Sequence, residues 1–380
     1  MTSMAGGATR RVAKPGAARL PSARVAALRA AAALGVVIFH VLFQLERAQD
    51  FEIQGFGILG EALSQAVDRL GVWAVSVFLI LSGLGLMHSR TGGKHLWEFW
   101  RRRRSRLYPL FWWIALPTVI GAVLVGELGW ADAWKLPFWL LGLNFIAPTL
   151  FTPLPAVAPQ WWYIGLAVQI YATFPLIQKL RLKFGLVALV AAAAVVNTAS
   201  VIVIQELPAK WEYLHMVFVG ARCLEVVTGV VLYDTIRADR PLRARLPVWG
   251  LLVLAFWTLA VAQPFATARW ILEPALVGVV ALALLLPCGG LRSRVRLRKL
   301  VVWAGSVSYP LYLCHFAIIA LLVAFLDRVH ALSAGTLSIL AFPLCILVAE
   351  GFRRSLPWAL RVSKRGARTA TDAGGQRPED

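Results

Sequence analysis

The sequence predicts an all-α polytopic membrane protein, a bundle of ten transmembrane helices with both termini cytosolic. Three observations predict it. Of the 380 residues 59% are apolar and only 15% charged, against about 25% charged in a soluble domain, and the mean hydropathy is +0.69. The apolar residues fall in runs of the length, about 20 residues, that crosses a hydrocarbon layer of ~30 Å. Finally, the 39 Lys and Arg outnumber the 19 Asp and Glu to give a net charge of +20, and they gather in short clusters between those runs.

The runs cover 25–43, 71–88, 107–126, 161–178, 184–204, 214–233, 247–263, 269–287, 301–326 and 335–352. A further stretch, 134–150, is broken by Pro137 and Pro148 and leads into a proline-rich tail ending at Pro159. Charge decides whether it crosses. With 134–150 kept outside, the basic N-terminus, 89–106, 179–183, 234–246, 288–300 and the C-terminus from 353 all fall on one side, as cytosolic loops rich in Lys and Arg should. If it crossed, every later loop would invert. The same bookkeeping accounts for the charge without nucleic acid.

The domain reading is 1–24 as a basic cytosolic tail without ordered structure, 25–352 as one membrane domain, and 353–380 as a cytosolic tail, disordered from 361. No cleavage site follows the first apolar run before Gln44-Leu45-Glu46-Arg47, so that run is read as an uncleaved span. Cys223, Cys288, Cys314 and Cys345 lie in or beside spans without metal-like or disulfide-framework spacing and are read as packing residues; no metal is expected. The outer segments 44–70, with Glu46, Asp50, Glu52, Glu61 and Asp68, and 127–160 are candidates for the lid or floor of an external cleft.

Ionisable groups within spans are costly and mark function or pairing. In the first span Arg29 and His40 stand eleven positions apart, which is about 20° past three full helical turns and about 16.5 Å of rise. They therefore share a face, with small residues from Ala30 to Ala33 and Gly35 between them. A permanent cation at the inner mouth suits an anionic ligand, and an imidazole above it suits a general base; snorkelling for Arg29 and an interhelical hydrogen bond for His40 are the alternatives. The inner loop Trp100-Arg101-Arg102-Arg103-Arg104-Ser105-Arg106-Leu107-Tyr108-Pro109 can hold phosphates through guanidinium groups, or meet anionic lipid headgroups. Ser308, Tyr312 and His315, at i, i+4 and i+7, form a polar stripe facing a cavity or a helix seam. Arg222 with Glu225, and Arg269 with Glu273, read as local ion pairs.

Five motifs in order give the chain a resemblance to the acyltransferase 3 family of bacterial multi-pass membrane proteins. Leu28-Arg29 through His40 resembles its Arg, ten residues, His signature. Val77-Phe78-Leu79-Ile80-Leu81-Ser82-Gly83 is similar to its aromatic-rich second span, and Arg103-Ser105-Arg106-Leu107-Tyr108-Pro109 to its inner-loop motif. Trp162-Tyr163 through Gln169-Ile170-Tyr171 and Phe174-Pro175, and Ser308 through His315, resemble the remaining two. Two positions depart: Ala167 stands where the family usually has Glu before the Gln, and Ser76 where it often has Asp.

The resemblance implies a membrane O-acyltransferase of the bacterial cytoplasmic membrane. It would move an acyl group, commonly acetyl, from cytosolic acyl-CoA, with acetyl-CoA the usual donor, to a hydroxyl of a carbohydrate or glycosylated acceptor. It implies His40 as catalytic base and Arg29 as its donor-binding or geometry-holding companion. Arg103, Arg106 and Tyr108 would fall at the donor, and Ser308, Tyr312, His315, Gln169 and Trp162 on the substrate side. A transporter of a lipid-linked or anionic solute, and a catalytically silent relative suggested by Ala167, are the alternative readings.

Overall fold

The computed structural model describes residues 22–49, 58–90, 96–124, 126, 128–151, 158–237, 295–329 and 333–373. Among them all regular structure is helical. The long helices are α1 (Ser22–Gln49), α2 (Ile58–Arg90), α3 (Leu96–Leu124), α6 (Trp162–Gln205), α8 (Cys223–Arg237), α9 (Val295–Arg328) and α10 (Ala334–Ala373). The short helices α4 (Leu136–Leu141), α5 (Pro148–Phe151) and α7 (Leu214–Val217) lie between them. Among the described residues five helices are long and apolar enough to cross a membrane, Ala23–Gln44, Leu70–His88, Leu96–Leu124, Pro159–Gln205 and Arg296–Leu326, and the pair Ala209–Val217 and Gly220–Asp234, bent by 50°, makes a sixth if counted as one span. The expected spans 247–263 and 269–287, the Arg269–Glu273 pair and Cys288 lie outside the described residues.

Helix α6 is two antiparallel limbs. At 44 residues it would be about 66 Å long if straight, twice the hydrocarbon thickness, but Gly185 breaks it with φ 83° and ψ 178°, a conformation open to glycine and costly for other residues. Gln169 and Ser200, nearly equidistant from Gly185, both reach the 217–220 stretch. Gln169 bonds the backbone of Val217 and Val219, and a Cβ on Gly220 would overlap Ser200 Oγ. Only a reversal at Gly185 permits this. The turn that the sequence places at 179–183 is thus tighter and later, and Arg181 just before it forms a bidentate pair with Asp234 near the end of α8.

Small residues set the closest helix contacts. A Cβ on Gly83 of α2 would overlap the Val226 carbonyl oxygen, and one on Gly229 of α8 would overlap the Ile80 carbonyl oxygen, so the two helices touch backbone to backbone. Gly305 does the same for α9, where a Cβ would lie 2.6 Å from Ala26 Cα of α1. Cys223, Cys314 and Cys345 are buried and free, as packing residues.

Three expectations change. The arginine run read as a loop is helical, because α3 begins at Leu96; each arginine therefore has a fixed face. The stretch 134–150 neither crosses nor stays wholly at the outer end. After α3 it folds back along that helix until Trp112 Nε1 donates to the Leu140 carbonyl at 2.9 Å and the Tyr108 hydroxyl to the Leu141 carbonyl at 2.8 Å. These are carbonyls at the C-terminal end of α4, which lack helical partners; irregular backbone at such depth is tolerated only when protein groups satisfy it. Last, the tail from 361, expected to be disordered, continues as helix to Ala373. A turn already nucleated makes extension through Ala, Leu, Lys and Arg inexpensive.

Candidate active site

His40 on α1 meets His315 on α9 with ring centroids 5.0 Å apart and planes tilted by 38°. Phe316 packs edge-on to His40 at 5.0 Å and Phe39 at 4.8 Å, so an aromatic collar holds the ring. His315 is fully buried. Its Nδ1 lies 3.1 Å from the Leu311 carbonyl and 2.8 Å from that of Tyr312. A carbonyl only accepts, so Nδ1 carries the proton and Nε2 presents a lone pair. That Nε2, and Nδ1 of the half-buried His40, are buried without a hydrogen-bond partner. Two imidazoles with unused nitrogens in an apolar collar are equipped to accept and pass a proton.

From His315 an aromatic ladder runs towards Arg29. Tyr312 follows at 5.9 Å and Tyr163 at 5.3 Å from Tyr312, with Phe78 about equally close to both tyrosines at 6.1 and 6.3 Å. Hydrogen bonds fix the rungs. Tyr312 donates to the Gln160 carbonyl at 2.6 Å, Gln160 Nε2 and Trp161 Nε1 donate to the Leu313 carbonyl at 2.9 and 3.2 Å, and the Tyr163 hydroxyl lies 3.4 Å from Ser82 Oγ.

Arg29 stands at the foot of the ladder. It is exposed, within electrostatic reach of Tyr163, Tyr171 and Arg106, and among the described residues no carboxylate pairs with it. Tyr163 and Tyr312 thus lie between Arg29 and the two imidazoles. Beside it lies a cleft of about 180 Å³ lined by Trp97, Trp100, Arg101, Arg103, Arg104 and Tyr171, among others. Arg103 is buried, its guanidinium 5.4 Å from the Phe99 ring centre and 5.9 Å from that of Tyr171. Arg106 is exposed and outside the lining of that cleft.

The model of the acyltransferase 3 family, an acyltransferase domain, matches residues 23–350. The chain belongs to the acyltransferase 3 family. A curated relative, the acyltransferase MdmB of Streptomyces mycarofaciens, is 30% identical, with 80% of this chain and 80% of that protein covered. No solved structure matches. As a family member the chain is an acyltransferase of groups other than aminoacyl and a multi-pass membrane protein.

The acyltransferase motifs divide by what their side chains touch. Arg29, His40, Tyr312 and His315 converge on the ladder. Ser308 donates to the Gly305 carbonyl one turn back, at 2.8 Å. Gln169 is occupied by the bent α7–α8 junction, donating to the Val217 carbonyl at 2.7 Å and accepting from Val219 N–H at 3.1 Å, and so supports the break. Trp162 stacks edge-on to Tyr163 at 6.0 Å. Tyr108 lines the cleft beside the arginines, and its hydroxyl pins the returning α4 segment. Replacing Tyr108 by Phe is therefore expected to destabilise the protein by about 0.5–1.5 kcal/mol, the net worth of one hydrogen bond, read as a lower melting temperature with faster proteolysis within 128–151. If the hydroxyl served the donor instead, KM for acyl-CoA would rise with stability unchanged.

Sequence reasoning missed Tyr163 and Phe78 as rungs and Tyr171 as the platform beneath Arg103; their motif positions were the available signal. It also missed the setting of Ser76. Its hydroxyl donates to Glu225 Oε1 at 3.0 Å, and Glu225 also faces Arg222 Nη2 at 2.7 Å, all three residues buried. A carboxylate from α8 thus stands beside the position where the family often carries Asp. The local Arg222–Glu225 pair was legible; the partner from α2 was not.

Proposed function

We propose that this acyltransferase moves an acyl group, acetyl foremost, from cytosolic acyl-CoA to a hydroxyl of a carbohydrate or glycosylated acceptor, with His40 as general base. The observation that carries the reading is the series of ring contacts from Tyr163 through Tyr312 and His315 to His40, with Arg29 within electrostatic reach of Tyr163 and an imidazole nitrogen to spare at the other end. The donor's phosphates lie among the arginines of α3, and its thioester reaches up the ladder. The His40 imidazole takes the acceptor's hydroxyl proton as that oxygen attacks the thioester carbonyl. Collapse of the tetrahedral intermediate breaks the C–S bond, and the departing CoA thiolate receives the proton from the imidazolium. Holding both reactants in one hollow supplies the larger part of the acceleration, and donors aimed at the oxyanion supply more.

Ten spans, cytosolic termini and residence in the bacterial cytoplasmic membrane belong to the same proposal, supported by the distribution of basic clusters. Among the described residues the bent α7–α8 pair is the feature that would suit a transporter. Purified protein in detergent, where no gradient exists, separates the two readings. Labelled acetyl-CoA and a glycosylated acceptor are expected to yield labelled acceptor with equimolar free CoA; absence of thioester cleavage with every donor and acceptor tried would overturn the enzymatic reading.

A further inference from the structure

We propose that Trp97 and Trp100 form a stacking platform for the adenine of the donor's coenzyme A, with Arg101 and Arg104 holding its phosphates. The inference rests on the acyl-CoA reading above and adds a base-recognising subsite to it. Trp97 opens the first turn of α3 and is 68% exposed. Positions 97, 100, 101 and 104 fall on one helical face, since residues three and four apart are neighbours, and all four line the same cleft opposite Tyr171 of α6. Like charges at this spacing repel. The one carboxylate in the turn, Glu98, reaches Arg102 at 3.6 Å, and among the described residues neither Arg101 nor Arg104 has an acidic partner. Two guanidinium groups one helical turn apart, with no acidic partner among the described residues and next to an exposed indole, complement a ligand that is both polyanionic and aromatic. A nucleotide with several phosphates is such a ligand; a lipid headgroup offers phosphate without a base.

Stacking on an aromatic side chain holds a base with a strength of roughly tenfold or more in affinity, and arginine takes phosphate oxygens in pairs. The alternative role for Trp97 is an anchor at the membrane interface. Calorimetric titration of the purified full-length protein with coenzyme A and with pantetheine, which lacks the nucleotide, distinguishes them. For the W97A/W100A double variant the preference for coenzyme A over pantetheine is expected to shrink about tenfold, and W97F/W100F is expected to restore most of it. An unchanged preference in W97A/W100A would overturn the platform. So would competition by phosphatidylglycerol vesicles as strong as that by adenosine 3′,5′-bisphosphate, because the site would then read phosphate alone. Failure of the unmodified protein to bind coenzyme A at all would instead remove the acyl-CoA reading on which the platform rests.

Discussion

Replacing His40 by alanine is expected to lower acyl-transfer turnover by about 10²–10⁴-fold, the range general-base assistance supplies, with membrane insertion and melting temperature close to those of the unmodified protein. The ring is only half-buried, and its Nδ1 makes no hydrogen bond that the fold would lose. What disappears is the imidazole beside His315. Glutamine at position 40 keeps a similar volume and polarity but cannot take a proton at neutral pH, so it should be nearly as inactive as alanine. His315→Gln tests the neighbour. If the two rings act as a unit, the double variant should be little worse than His40→Ala alone, because groups acting together are strongly non-additive. Turnover within a factor of about two of the unmodified protein in well-inserted His40→Ala would remove the imidazole from the chemistry, since that is far short of a general base's contribution.

The largest expected effect on assembly comes from Gly83. Leucine there must displace a backbone carbonyl, that of Val226, and the reciprocal contact of Gly229 with Ile80 leaves α8 nowhere to slide. Overpacking costs about 1–3 kcal/mol where side chains can adjust, and backbone cannot, so the loss should exceed that range and consume much of a stability of about 5–15 kcal/mol. Alanine is already too large. The measurement is the yield of monodisperse protein and its melting temperature in detergent, and Gly85→Ala is the internal control, because no atom lies within 4 Å of a Cβ built there. Equal behaviour of Gly83→Leu and Gly85→Ala would refute the close α2–α8 contact. Because Ser82 neighbours Gly83 and sits by Tyr163, a partly tolerated substitution should also disturb the ladder and depress activity more than stability.

Much of the site was legible in one dimension because helical geometry is regular. The eleven-residue interval of Arg29 and His40 places both on one side of α1 whatever surrounds them. The stripe Ser308, Tyr312, His315 follows from the same period, although only two of its members turn to the ladder; Ser308 spends its hydroxyl one turn back. Gln169 was noticed as a motif residue in an apolar run. That its amide holds the backbone of Val217 and Val219 depends on the reversal at Gly185, which brings a distant segment alongside.

Composition and the spacing of apolar runs were sufficient to determine a helical multi-pass membrane protein, because apolar length acts locally along the chain. Periodicity further determined that a cation and an imidazole share one helix face. Tertiary structure alone decided that His40 meets His315, that Glu225 comes to Ser76, and that the segment after α3 turns back to be held by Tyr108 and Trp112. Those contacts join residues tens to hundreds of positions apart, and which helices become neighbours depends on where glycine lets backbones touch and where a break lets the chain turn.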